Sequence, residues 1–313
     1  MLKYLKGLRT LWASVILLGL AVHLCSPLFA QDQLLPVFHF QHLSTDDGLS
    51  TNEIRSPVVR DGKGFFWIGT YNGLERYDGY SFKDYRKIPG DPYSLSSNAV
   101  WSLLVDRKQR LWVGTFETGL SLYDPNRDRF LNFLPRLGDS SWYQGKPVWT
   151  ILEDRSGNIW LGTEMEGVVR LEIPPDVGFS NPDSLLRGVR IRTFSLGTPR
   201  NCAYDLLERD DGKILVASDG GLMILDPTNH ALSRPHLADP IGRRLDSIAV
   251  RCLVQDIRGN LWLGTSTEGV FQLDVKSGKV LNYRHKKKYH VKTRSIFAAG
   301  EWNSGLCQYY GCK

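Results

Sequence analysis

Gly157-Asn158-Ile159-Trp160-Leu161-Gly162-Thr163 has four near-copies elsewhere in the chain, and the rest of the sequence is spaced around them. They are Gly64-Phe65-Phe66-Trp67-Ile68-Gly69-Thr70, Gln109-Arg110-Leu111-Trp112-Val113-Gly114-Thr115, Gly212-Lys213-Ile214-Leu215-Val216-Ala217-Ser218 and Gly259-Asn260-Leu261-Trp262-Leu263-Gly264-Thr265. The fourth copy carries Leu215 where the others carry Trp. Anchor positions 67, 112, 160, 215 and 262 lie 45, 48, 55 and 47 residues apart. Among repeat architectures that period fits a four-stranded propeller blade.

The residues around Trp160 give the plan of one blade. Val148-Trp149-Thr150-Ile151-Leu152-Glu153 is a β-branched, apolar strand, and Asp154-Arg155-Ser156-Gly157-Asn158 is a turn in which Asp can bond backbone amides. Ile159 to Thr163 is the second strand, and Gly167 begins the third. In the second repeat, Tyr123-Asp124-Pro125-Asn126 turns the chain into an outer strand over Arg129 to Phe133. The expectation is an all-β fold, a β-propeller of four-stranded antiparallel blades, with about five blades present of an expected seven. The recurrent Trp67, Trp112, Trp160 and Trp262 are read as blade anchors, large flat side chains packed between neighbouring sheets.

Ahead of the repeats, Lys3, Lys6 and Arg9 precede an apolar run from Leu11 to Leu24, and Leu28-Phe29-Ala30 offers a cleavage site. This reads as an export signal over residues 1–30, and it places the protein in the periplasm or beyond the cytoplasm. Phe38-His39-Phe40-Gln41-His42-Leu43 alternates like a strand and is expected to latch the last blade. The propeller is assigned to residues 38–285. Residues 286–313 read as an irregular basic tail or an interrupted next blade.

The formal charge of +6 does not indicate nucleic acid. Three of the cations belong to the signal, and Arg284, Lys286, Lys287, Lys288, Lys292 and Arg294 cluster near the end, so the repeats carry no basic stripe. Nor does a catalytic motif emerge. The seven His residues include no pair at metal-ligand spacing, and neither a phosphate loop nor a Gly-x-Ser-x-Gly elbow is present. A sialidase-type Asp box would set its Asp one residue closer to the aromatic than Asp61, Asp106, Asp154 and Asp256, which lie six before theirs. No cofactor and no metal are expected. Cys202 and Cys252 sit at different registers of neighbouring repeats and are not expected to pair.

A candidate binding site rests on geometry. Eleven residues before each anchor stand Ser56, Trp101, Trp149, Tyr204 and Arg251, unlike the aliphatics around them. At one mouth of the channel, aromatic faces beside a guanidinium suit stacking on sugar rings and bonding an acidic substituent. The competing reading is that these aromatics wedge between blades. Loops after the Gly-Thr pairs, such as Phe116-Glu117 and Glu164-Met165-Glu166, form a second candidate rim.

The run Asp46-Asp47-Gly48-Leu49-Ser50, followed by Asp61-Gly62-Lys63-Gly64-Phe65-Phe66-Trp67-Ile68-Gly69-Thr70-Tyr71-Asn72-Gly73-Leu74-Glu75-Arg76-Tyr77-Asp78-Gly79, resembles the opening of the two-component regulator propeller family. The resemblance implies an exported sensor region with a seven-bladed propeller, often two in tandem. A small β-sandwich, a membrane helix and a cytoplasmic histidine kinase or diguanylate cyclase would follow. It further implies a small-molecule or oligosaccharide ligand and a possible homodimer in the full-length protein. Contact with the membrane would come only through a C-terminal region missing here or an uncleaved signal. The alternatives are a secreted propeller lyase or hydrolase, and a protein-binding scaffold.

Overall fold

The computed structural model describes residues 42–133, 143–174, 188–237 and 239–284. Most of the expected latch strand, the export signal and the basic tail lie outside these residues. The strands belong to one unit that begins at Leu43.

Among the described residues, five antiparallel sheets of four strands follow one another, and in each the spatial order is the chain order. Blade 1 is β1 (Ile54–Arg60), β2 (Phe66–Thr70), β3 (Gly73–Tyr77) and β4 (Phe82–Tyr85). Blade 2 is β5 (Val100–Val105), β6 (Leu111–Thr115), β7 (Gly119–Asp124) and β8 (Arg129–Phe133). Blade 3 is β9 (Val148–Glu153), β10 (Ile159–Thr163), β11 (Val168–Glu172) and β12 (Arg190–Phe194). Blade 4 is β13 (Ala203–Glu208), β14 (Ile214–Ser218), β15 (Gly221–Leu225) and the two-residue β16 (Leu232–Ser233). Blade 5 is β17 (Val250–Gln255), β18 (Leu261–Thr265), β19 (Val270–Leu273) and β20 (Val280–Tyr283). The fold class read from the anchors is thus the observed one.

The first strands β1, β5, β9, β13 and β17 pack each on the next, which puts them innermost. Three of the anchor Trp side chains face the following blade. Trp67 shares a core cluster with Leu111, Val113 and Tyr123 of blade 2. Trp112 sits with Ile159 and Leu161 of blade 3, and Trp160 with Leu206 and Val216 of blade 4. These three are at most 1% exposed. Trp262 on the fifth blade is half-buried, stacked at 5.7 Å on the exposed Tyr283.

The Gly-Thr pair after each Trp has two separate jobs. Gly lets the next blade's inner strand approach: a Cβ on Gly114 would lie 2.0 Å from Ser102 Oγ and 2.8 Å from Val148 Cγ1. The hydroxyl then closes the hairpin, with Thr115 Oγ1 donating to the Gly119 carbonyl at 3.0 Å and Thr163 Oγ1 to that of Gly167 at 2.9 Å. Ser218 retains this bond in the fourth blade, at 2.7 Å to Gly221.

Candidate functional site

Four of the five candidate residues share one backbone feature. In blade 2, Val100 pairs with Thr115 and Ser102 with Gly114, leaving Trp101 as an extra residue in the ladder. Trp149 is likewise extra between Val148 and Thr150, Tyr204 between Ala203 and Asp205, and Arg251 between Val250 and Cys252. A bulge re-aims the side chain it carries. Repetition of the bulge at the same height in successive inner strands therefore brings four side chains into one row.

Edge-to-face contacts hold that row together. Trp101 and Trp149 have ring centroids 4.3 Å apart at 78°, and Trp149 and Tyr204 are 5.6 Å apart at 74°. The Arg251 guanidinium lies 3.8 Å from the Tyr204 ring centroid, close enough for a cation–π contact. Each aromatic pair contributes about 0.5–1.5 kcal/mol beyond the area it buries. The indole nitrogens of Trp101 and Trp149 are buried without a hydrogen-bond acceptor among the described residues, so each ring is held by its faces and edges.

The second candidate rim converges on the same end. Phe116, in the hairpin after Gly114-Thr115, stacks on Trp101 at 5.0 Å and 19°. Tyr71, from the equivalent hairpin of blade 1, meets the edge of Trp101 at 6.4 Å and carries the Arg55 guanidinium at 4.6 Å. Beside Tyr204, Glu164 forms an ion pair with Arg200, and Asp219 accepts the Arg200 amide at 2.9 Å and the Thr198 hydroxyl at 2.5 Å. Burial pushes the Tyr204 phenol up to about 12 and the Cys202 thiol up to about 11, so both are neutral at physiological pH. Tyr71, Phe116 and Met165 are exposed, whereas Tyr204 is buried.

Ser56 does not join the row. Pro57 cannot donate to the ladder, and the irregularity in β1 spans Ile54 to Val58. Ser56 is turned inward, where its hydroxyl accepts the Gly69 amide at 2.8 Å. The offset of eleven lands on a different geometry here because the irregularity around Pro57 differs from the single-residue bulge of the other four inner strands.

Just inside the row runs a belt of polar side chains. Ser102 Oγ donates to the Val148 carbonyl at 3.1 Å, and Thr150 Oγ1 donates to Asp205 at 3.3 Å. Asp205 in turn accepts the Leu253 amide at 2.8 Å, joining blades 3, 4 and 5. Cys202 and Cys252 are buried and form no disulfide. Among the described residues, no group of three or more His, Cys, Asp and Glu side chains is placed to hold a metal ion.

Fold and row together describe a β-propeller whose inner-strand bulges build up one end of the blades. A profile described as two component regulator propeller matches residues 94–117, 143–165 and 244–267, the approach to the inner strand and the Trp strand in blades 2, 3 and 5. Those three segments are similar to the repeat of that family. A 59-residue stretch is 39% identical to histidine kinase P4 of Formosa agariphila, covering 19% of this chain and 4% of that one. Among solved structures, the extracellular domain of a hybrid two component system from B. thetaiotaomicron superposes with a TM-score of 0.61 at 23% identity. That match covers 77% of this chain and 31% of the other, so the chain spans about a third of the domain it resembles. Virginiamycin B lyase from Staphylococcus aureus, solved in an inactive form with quinupristin, gives a TM-score of 0.56 at 13% identity over 80% of this chain and 75% of that one. At these identities the solved structures show the shared fold.

Proposed function

We propose that this chain is the ligand-sensing propeller portion of an exported two-component signalling protein, and that its ligand binds across the bulged row. The observation that carries the reading is the run Trp101, Trp149, Tyr204, Arg251, contiguous over four blades and edged by the exposed Phe116 and Tyr71. Aromatic faces stack on the apolar face of a sugar, and a guanidinium at the end of the row bonds a carboxylate or sulfate substituent. An oligosaccharide bearing an acidic group suits this arrangement. The basic and apolar N-terminal run supports export, and among the described residues no helix is long and apolar enough to cross a membrane.

The test is calorimetric titration of the exported chain with a panel of neutral and acidic oligosaccharides. We expect saturable binding of at least one acidic member, weakened tenfold or more in Trp149→Ala and in Arg251→Gln with circular dichroism unchanged. Binding that ignores both substitutions overturns the site, and turnover of any member without a signalling output favours the lyase or hydrolase alternative.

A further inference from the structure

At the end of the blades opposite the row, a cleft of about 380 Å³ opens between blades 1 and 2. Its size lies within the range of small-molecule sites. Arg76 on β3 lines it, directly across the strand pair from Trp67. The guanidinium carbon lies 4.6 Å from the Phe65 ring centroid, 5.8 Å from Trp67 and 6.0 Å from Tyr85. Aromatic faces hold the cation but leave its N–H donors without acceptors, and no carboxylate among the described residues pairs with it.

The two carboxylates that line the cleft are already engaged. Asp61 accepts the Trp67 indole at 2.8 Å, the Phe65 amide at 3.0 Å and the Lys63 amide at 2.9 Å. Asp128 accepts the hydroxyls of Tyr85 at 2.7 Å and Tyr123 at 2.6 Å and forms an ion pair with Lys83. In the lining Lys63 and Arg76 balance Asp61 and Asp128, but Asp128 is paired with Lys83 from outside the cleft, so neither acid is paired with Arg76.

Comparison with the other blades explains why the space is open. The residue after the turn Asp is Arg107 in blade 2 and Arg155 in blade 3, and each reaches over to the next blade's turn. Arg107 Nη1 donates to the Arg155 carbonyl at 3.1 Å, and Arg155 Nη1 to the Asp210 carbonyl at 3.0 Å. Blade 1 has Gly62 at this position. Among the described residues no arginine from this turn reaches over to blade 2 as in blades 2 and 3, and the cationic, aromatic floor is left accessible.

We propose that this cleft is a second ligand site, taking a small carboxylate with a planar apolar body. The carboxylate pairs with the Arg76 fork and the ring lies against Phe65, Leu111 and Pro125. It is separate from the row and does not depend on it.

4-Fluorobenzoate is the probe, followed by fluorine NMR line broadening on the whole chain. A ligand of this size should saturate at roughly 10 mM or below. Two variants read the site independently. Arg76→Gln removes the anion partner, and Gly62→Arg installs the clamp that blades 2 and 3 already use. Gly62 is not in the left-handed region, and its added Cβ would meet chiefly the movable end of Gln109, so the second variant keeps its fold. The expected result is binding weakened tenfold or more in both, with 4-fluorobenzamide and acetate each at least tenfold weaker on the unmodified protein. Equal binding across the variants, equal binding of the amide, or no saturation overturns the proposal.

Discussion

Asp154 Oδ2 accepts the indole N–H of Trp160 at 2.8 Å. Asp61 and Trp67, Asp106 and Trp112, and Asp256 and Trp262 repeat the bond at 2.8, 2.9 and 3.0 Å. In blade 4 both partners change together, to Arg209 and Leu215. The outer strand changes with them: Tyr85, Phe133, Phe194 and Tyr283 pack on the anchor Trp in the other blades, whereas β16 is two residues without an aromatic. The Asp, the Trp and the outer ring are therefore one packing unit, kept or lost as a whole.

The first prediction follows from burial. Asp154 also accepts the Asn158 amide at 2.9 Å and its side chain at 2.8 Å, so Asp154→Ala strands several donors beside a core Trp and should cost about 3 kcal/mol. Asp256 makes the equivalent bonds, and these hold its carboxyl below the usual range against the opposing effect of burial. It sits beside a half-exposed Trp262, where water can replace it, and Asp256→Ala should cost about 1 kcal/mol. Amide exchange measured blade by blade separates the two; equal losses would refute the packing-unit argument.

Much of this was legible in advance, for identifiable reasons. The anchors marked the blades because Trp, Gly and Thr recur with the turn Asp. The offset of eleven located Trp101, Trp149, Tyr204 and Arg251 because the inner strand and the turn keep their lengths in those blades. What spacing could not give was the bulge, a property of pairing rather than of one strand. It also could not give the meeting of Phe116 with Trp101, which depends on how a hairpin folds back. The Asp–Trp bond did leave a signal, the joint change at 209 and 215, but turn chemistry alone accounted for the Asp. The Arg76 cleft left none, since it exists only where Gly62 faces blade 2.

A second prediction concerns close approach. Gly114→Ala would drive a methyl into Ser102 and Val148, and neither strand can retreat without opening the interface of blades 2 and 3. The cost should be 3 kcal/mol or more, on the order of severe overpacking. Gly157→Ala meets nothing within 4 Å but must hold φ at +86°, so about 1 kcal/mol is expected from the left-handed backbone alone. Urea midpoints in this order support the reading; the reverse order contradicts it.

Asp205 supplies a pH dependence. Burial pushes its carboxyl up to about 6, against the hydrogen bonds from Leu253, Leu206 and Thr150, compared with 3.8 for an ordinary aspartate. Between those values the native state holds a proton that the unfolded chain has released, so stability falls as pH rises. The penalty is absent below about pH 4, complete above about pH 6, and at most about 3 kcal/mol. Asp205→Asn should flatten this slope while leaving stability at acidic pH nearly unchanged. If the slope survives in that variant, Asp205 is not its source.

Trp149 and Trp160 lie on paired strands of the same blade, and their indoles are held in opposite ways. The Trp160 N–H is tied to Asp154, and Trp160→Phe leaves a buried carboxylate oxygen short of a donor, at a cost of about 2 kcal/mol. The Trp149 N–H has no acceptor among the described residues. Trp149→Phe therefore surrenders no hydrogen bond and keeps a ring able to meet both Trp101 and Tyr204, so it should cost less than about 1 kcal/mol. Trp149→Ala, by contrast, splits the row in two and should cost several times more than the Phe variant. Thermal unfolding of the three variants decides the matter: a Trp149→Phe loss as large as that of Trp160→Phe would mean that the indole nitrogen of Trp149 is bonded in solution and that the row is held by more than its rings.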